Sequence, residues 1–177
     1  MLVIKLILKQ ICLLGMQRKN NSKMNSGEWR VDSKVRIAIV VSEFNSDITL
    51  PMLDGAIQEL KVKGVQEKNI TVVKVPGGFE IPYTCKQLAK TKKSKEKYSG
   101  IIAIGCVIRG DTDHYVYIAN EASRGVMDVM LSENIPIANA ILTVNNLEQA
   151  KIRSTGETNK GIEAAIALLK MISIFSK

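Results

Sequence analysis

The chain has 177 residues, of which 46% are hydrophobic and 24% are charged. This length suits one domain with a single core, and the composition excludes a disordered chain or a fibrous repeat. The formal net charge is +8. Residues 1–30 contribute an excess of basic side chains, however, so roughly +3 remains for the rest of the chain. We therefore expect one mildly basic domain over residues 31–177, with no nucleic-acid partner.

Residues 1–30 are predicted to be a basic, flexible extension. Lys5 and Lys9 interrupt its apolar beginning, so the segment is too short and too charged to span a bilayer. The extension lacks a small-residue cleavage site, which disfavours a signal peptide, whereas its basic character leaves an organelle presequence open. Our preferred interpretation is a dispensable segment or a misassigned start, with Met16 or Met24 as the alternative first residue.

The three cysteines, Cys12, Cys85 and Cys106, show no CxxC spacing. An odd number of unclustered cysteines favours a reducing compartment over a disulfide framework, and we expect a cytoplasmic protein without a membrane partner. No metal site is predicted, because the chain has one histidine and no clustered thiolates.

Apolar runs alternate with helical patterns from residue 35 onward. We predict strands at residues 35–41, 70–75, 100–108 and 135–143. We predict helices at residues 51–64, 82–92, 113–134, 146–154 and 159–174. Such alternation requires right-handed crossovers. The predicted fold is therefore α/β, a flavodoxin-like three-layer sandwich whose central, mainly four-stranded parallel sheet has helices on both faces.

Ligands of such a sheet bind at the carboxyl ends of its strands, where loops and helix amino termini converge. Four segments of this sequence are predicted to meet there. They are residues 42–47 (SEFNSD), 75–82 (VPGGFEIP), 108–117 (IRGDTDHYVY) and 139–143 with the loop that follows.

His114 is the only histidine, and it opens the predicted third helix beside Asp111 and Asp113. A lone histidine is more often an ordinary surface residue, but a position just after a strand end suits a proton-transfer group. We keep both interpretations at this point.

The segment Gly105-x-x-x-x-Gly110-Asp111-Thr112 has the glycine spacing of a phosphate loop but lacks its lysine, which disfavours nucleotide hydrolysis. Its backbone amides can still hold a small phosphate. Arg153 and Lys160 could supply positive charge, or they could be solvated cations at helix ends.

Two other residues near the strand ends each allow two interpretations. Phe44 is either an anchor that packs into the core or a platform that stacks on a planar ring. Glu80 either caps a helix or forms hydrogen bonds to a polyhydroxylated ligand.

The ordered segments RIAIVVSEFNSDIT, VPGGFEIP, IGCVIRGDTDHYVYI, EQAKIRS and NKGIEAA resemble the lumazine synthase family over nearly all of residues 35–173. This resemblance implies the condensation of 5-amino-6-(D-ribitylamino)uracil with 3,4-dihydroxy-2-butanone 4-phosphate. The implied products are 6,7-dimethyl-8-ribityllumazine, phosphate and water. It also implies that neither a metal nor an organic cofactor takes part.

The resemblance further implies a role for individual residues. Phe44 would stack on the pyrimidine and His114 would shuttle protons. The ribityl chain would contact Gly78, Phe79 and Glu80. The ring would contact Cys106, Val107 and Ile108. The phosphate would contact Asp111, Thr112 and Arg153. Lys160 matches a lysine of the family's tail motif.

The sequence departs from the family at two places. Asn139 stands where many members have an aromatic residue that covers the second face of the ring. The segment at residues 153–160 is about one residue shorter than in many relatives. By resemblance, the site forms between neighbours in a homopentamer, and twelve pentamers can form a hollow shell. Association with riboflavin synthase is a further possible partnership.

Three other functions are weighed against this one. The main alternative is a flavin- or lumazine-binding protein of the same fold with little turnover. A phosphoacceptor receiver domain would need an acidic pair after the first strand, where this chain has only Glu43. A nucleic-acid-binding role would depend on the basic residues 1–30.

Overall fold

The computed structural model of the protein describes residues 31–32, 34–90 and 97–175. The predicted extension at residues 1–30 lies outside the described residues. The strands are β1 (Ile37–Ser42), β2 (Ile70–Val75), β3 (Gly100–Ile108) and β4 (Ile137–Val144). The helices are α1 (Ser46–Val62), α2 (Ile81–Ala89), α3 (His114–Ser132), α4 (Leu147–Ser154) and α5 (Lys160–Phe175).

The strands form one parallel sheet in the order β2-β1-β3-β4. The central strands β1 and β3 are buried almost throughout, as their continuous apolar sequences indicate. The predicted α/β three-layer fold is confirmed.

Side-chain alternation along β1 divides the core between the two faces of the sheet. Ile37, Ile39 and Val41 pack with α1, α4 and α5. Ala38 and Val40 pack with α2 and α3. Successive side chains of a strand point to opposite faces, so each face of the sheet acquires its own apolar layer.

Helix α1 begins at Ser46, five residues before the predicted start at Pro51. Ile48 and Thr49 are both fully buried, and the Thr49 hydroxyl donates to the carbonyl of Ser42 at 2.7 Å. These contacts stabilise the first turn of α1. The helix therefore accommodates Pro51 in its interior, although the missing N–H of proline ordinarily favours the first helical turn. The other predicted boundaries agree with the structure to within about three residues, although the last two residues of the helix predicted at 82–92 lie outside the described residues.

Helices α1 and α5 approach so closely that Gly161 has no room for a side chain. A Cβ there would overlap the carbonyl group of Met52. The neighbouring Asn159 amide donates to the carbonyls of Pro51 and Ser154 at 3.0 and 2.7 Å, and its Oδ1 accepts from the Gly161 N–H at 2.8 Å. Asn159 therefore joins α1, the end of α4 and the start of α5.

We predict that Gly161→Ala destabilises the protein by about 3 kcal/mol, since the new methyl group must displace backbone. Intrinsic helix propensity alone would favour alanine by about 1 kcal/mol. The predicted loss of stability therefore results from the close contact between α1 and α5. Denaturant unfolding measures the difference.

The matched control is Gly110→Ala, because a Cβ at Gly110 meets no heavy atom within 4 Å. Its free energy of unfolding should stay close to that of the parent protein. Equal stability of the two variants would contradict the close approach of α1 and α5.

Candidate active site

A cleft of about 380 Å³ lies at the carboxyl ends of β1, β2 and β3. Its walls are the loop after β1, the turn after β2, the end of β3 and the first turns of α3. The cleft brings together nine of the predicted site residues, namely Phe44, Gly78, Phe79, Glu80, Cys106, Val107, Ile108, Thr112 and His114. Asp111 lies between two lining residues, Gly110 and Thr112.

Phe44 presents its side chain to the cleft. The side chain is 68% exposed, which excludes the alternative of a core anchor. The Phe44 N–H donates to the carbonyl of Pro76 at 3.1 Å and lies 3.2 Å from the Ser42 hydroxyl. A fixed backbone that carries an exposed ring is suited to stacking on a planar ligand.

The turn after β2 is a short 3-10 segment, Gly78–Glu80, which leads directly into α2. Phe79 is 58% exposed. Glu80 precedes α2, but in the described structure its carboxylate forms no capping hydrogen bond. A Cβ on Gly77 would come within 3.0 Å of a Glu80 carboxylate oxygen, so the carboxylate lies back over the glycine turn. It is available to hydroxyl groups of a ligand in the cleft.

The end of β3 contributes backbone to the cleft. Strand β1 pairs with β3 only as far as Val41 opposite Ile104. The carbonyl of Cys106 lies beyond that limit and accepts a hydrogen bond from the Asn45 side chain at 2.9 Å. On its other side, β3 keeps its pairing with β4 through Ile108 opposite Val144.

The start of α3 closes the remaining side of the cleft. His114 is the first residue of α3 and is exposed, with Asp113 at the cap position. Gly110, Asp111 and Thr112 form the exposed connection from β3. A helix amino terminus and adjacent loop amides favour an anion, and the imidazole beside them can exchange a proton with a bound ligand.

Besides Asp111, three predicted site residues lie outside the lining of this cleft. Arg153 is half-buried on α4 and donates to the carbonyl of Gln149 at 3.0 Å. Asn139 and Lys160 instead line a second groove of about 520 Å³ between the edge strand β4 and α5. The Lys160 ammonium contacts both carboxylate oxygens of Glu163, at 2.8 and 2.6 Å.

Sequence reasoning missed three residues of the site. Tyr115 and Ile118 line the cleft from α3, and Asn45 forms a hydrogen bond to the carbonyl of the lining residue Cys106. Ile118 could have been found, because it lies one helical turn after His114 and so shares a helix face with it. Asn45 gave no such signal, because it falls in the predicted loop and its partner Cys106 is 61 positions away in the chain.

The described residues contain no group of three or more metal-ligating side chains. The helices formed by these residues all lack the length or the apolar character that a membrane span requires.

The sequence matches a known family over almost the whole domain. The model of the family described as 6,7-dimethyl-8-ribityllumazine synthase matches residues 34–176. The chain belongs to this family. The 6,7-dimethyl-8-ribityllumazine synthase of Leuconostoc mesenteroides subsp. mesenteroides is 42% identical to this chain over 143 residues. Those residues cover 80% of this chain and 89% of the relative. The resemblance inferred from the sequence is therefore confirmed.

Two cysteines of this lumazine synthase family member are buried free thiols. Burial raises the pKa of Cys85 to about 12 and the pKa of Cys106 to about 11. The thiolate is the reactive form of cysteine, so both side chains should be inert in the folded protein at mildly alkaline pH.

We predict that iodoacetamide at pH 8.5 leaves Cys85 and Cys106 unmodified in the native protein and alkylates both in denaturant. Unfolded thiols ionise near pH 9, below the folded pKa values, so the free energy of unfolding should fall as the pH rises from about 9 towards 11. Peptide mass spectrometry and denaturant titrations measure the two effects. Equal alkylation of Cys106 with and without denaturant would contradict its burial.

Proposed function

We propose that this chain catalyses a step of riboflavin biosynthesis, the condensation of 5-amino-6-(D-ribitylamino)uracil with 3,4-dihydroxy-2-butanone 4-phosphate. The products are 6,7-dimethyl-8-ribityllumazine, phosphate and water, and the enzyme is a transferase. Family membership supports the reaction. The observation that carries the residue assignments is the single cleft shared by an exposed aromatic ring, a glycine-rich turn with a carboxylate, and the histidine.

The aminouracil substrate is proposed to lie between Phe44 and the end of β3. Its flat pyrimidine suits the exposed Phe44 ring, and stacking of this kind contributes about 1 kcal/mol beyond the buried area. Its ribityl hydroxyls suit the Glu80 carboxylate and the backbone of Gly78 and Phe79. The Cys106 carbonyl already accepts one hydrogen bond, so Ile108 and the second lone pair of Cys106 remain for the ring.

The phosphorylated butanone is proposed to bind at the start of α3. The backbone of Asp111 and Thr112 and the positive end of the α3 dipole suit its phosphate. The 5-amine of the first substrate attacks the ketone of the second, and one water leaves to form an imine. Phosphate is then eliminated, and the resulting enol becomes a ketone. The neighbouring ribitylamine nitrogen attacks that ketone, and a second water leaves as the ring closes. Each step moves a proton, and His114 is the group in the cleft placed to carry it.

A second subunit is proposed to complete the site. A phosphate beside Asp111 needs a cation, yet Arg153 lies outside the cleft of its own chain. Helix α3 exposes Val116, Tyr117 and Leu131, which supports oligomerisation because large exposed apolar surfaces commonly mark interfaces. We propose that Arg153 of a neighbouring subunit reaches the phosphate in a homo-oligomer.

The proposed assembly is a pentamer, either alone or as part of a 60-subunit shell, in the cytoplasm. In it, Asn139 and Lys160 of the neighbour would lie near the cleft, with the Asn139 amide in place of an aromatic ring. Association with riboflavin synthase, which would use the lumazine product, remains a prediction of the family resemblance.

We predict that His114→Ala lowers the turnover number about 10²- to 10⁴-fold, because general acid-base catalysis typically contributes that much. The dissociation constant of the lumazine product and the size of the assembly should stay unchanged. Formation of the lumazine chromophore from both substrates measures turnover, and light scattering measures assembly.

The control for this experiment is Glu67→Ala, in an exposed turn at the opposite end of the strands. It should retain full activity. If the parent protein binds the lumazine but forms none from the substrates, the alternative of a binding protein replaces the proposed enzyme. If His114→Ala turns over normally, His114 is not the proton carrier.

We predict that inactive subunits complement one another. Arg153→Ala should weaken binding of the phosphorylated substrate, so assemblies of either single variant should be poorly active. When the two variants are unfolded together and reassembled in equal amounts, about a quarter of the interfaces should pair an intact His114 with an intact Arg153.

Recovery of about that fraction of the parental activity would place the two residues on different subunits. Reassembly of each variant alone is the control. The absence of recovery in mixed assemblies of the correct size would contradict a shared site.

A further inference from the structure

Asn45 has an unusual backbone and an unusual side-chain contact for a residue that starts a helix. Its φ and ψ of 58° and 47° lie in the left-handed region, and its side chain forms no hydrogen bond to the start of α1. The helix start is held by its main chain, since the Asn45 carbonyl accepts from Ile48 and Thr49. The usual reason for an asparagine before a helix is therefore absent here.

The Asn45 amide reaches across to β3 instead. Its Nδ2 donates to the carbonyl of Cys106 at 2.9 Å, although the two residues are 61 positions apart. Strand β1 no longer pairs with β3 at this level, because the chain turns away and Glu43 and Phe44 bond to Val75 and Pro76. The side chain of Asn45 thus replaces the missing backbone partner of β3.

This contact links the two walls that would hold the pyrimidine. Phe44 is adjacent to Asn45 in the chain, and Cys106 lies in the opposite wall of the cleft. The left-handed backbone of Asn45 sets the orientation of the adjacent Phe44. The hydrogen bond from the Asn45 amide fixes the distance between this loop and β3. Asparagine suits both tasks, because it tolerates positive φ and carries a donor.

We propose that Asn45 is a positioning residue that sets the width of the ring-binding part of the cleft. This inference rests on the proposed function, since it assigns the planar ring of the aminouracil substrate and of the lumazine product to that part. The hydrogen bonds that the structure gives Asn45 join it to Cys106, Ile48 and Thr49, so its effect should be confined to the ring-bearing ligands.

The test uses Asn45→Gly and Asn45→Asp in the full-length oligomeric protein. Glycine adopts the left-handed backbone freely but has no amide. Aspartate keeps the shape and tolerates the backbone, but a carboxylate cannot donate to the Cys106 carbonyl. Asn134→Gly is the matched control, because Asn134 also has positive φ, at 49°, and lies at the far end of α3.

We expect both Asn45 variants to raise the KM for the aminouracil and the dissociation constant of the lumazine about tenfold. The KM for the phosphorylated butanone should stay within about twofold, as should all constants of Asn134→Gly. A general loss of stability would instead affect both substrates and the fraction of assembled protein alike. Steady-state kinetics, lumazine fluorescence titration and light scattering separate these effects.

Parental constants in Asn45→Gly, or an equal rise in KM for both substrates, would overturn the proposal. Failure of the proposed function has a different signature, which is a parent protein that forms no lumazine. If that parent still binds lumazine, the dissociation constants of the variants test Asn45 without turnover. If Asn45→Asp does not fold, Asn45→Gly alone decides the outcome.

Discussion

The cleft exists because β1 and β3 end at different heights. Both strands are buried on both faces and pair in parallel register, but that pairing stops at Val41 and Ile104, while β3 continues to Ile108. Beyond Ser42 the chain turns towards β2 rather than following β3. The gap between the diverging strands is the switch point at which open α/β sheets bind ligands. The loop after β1 and the end of β3 form opposite walls of the cleft because of this divergence.

A diverging edge leaves polar backbone without strand partners, and hydrogen bonds from the loop after β1 compensate for part of it. The N–H groups of Glu43 and Phe44 donate to the carbonyls of Val75 and Pro76 at the end of β2. The side-chain amide of Asn45 donates to the carbonyl of Cys106. Buried carbonyls without partners are costly, so these contacts stabilise an opening that would otherwise close or fray. The same contacts fix the loop that carries Phe44. Ligand binding at Phe44 therefore depends on the hydrogen bonds that complete the edge of the sheet.

A single chain supplies only part of the proposed site. It gathers the Phe44 ring, the glycine turn that precedes Glu80 and His114 in one cleft, but it leaves the Phe44 and Phe79 rings largely exposed and Arg153 outside the cleft. Large exposed aromatic surface is unfavourable in water unless a ligand or a neighbouring subunit covers it. This asymmetry is the physical reason to propose a shared site.

The sequence alone determined the order of strands and helices, because burial on both faces of a parallel sheet requires continuous apolar runs and its helices require a 3.6-residue period. It also determined which loops would meet, since strand ends of a parallel sheet share one edge, and nine predicted residues do line one cleft. The start of α1 depends instead on tertiary contacts, because the buried contacts of Ile48 and Thr49 outweigh a local proline signal. The exposure of Phe44, the contact of Asn45 with Cys106 and the position of Arg153 outside the cleft also depend on tertiary contacts. They follow from distances between segments that are far apart in the sequence, which no local pattern encodes.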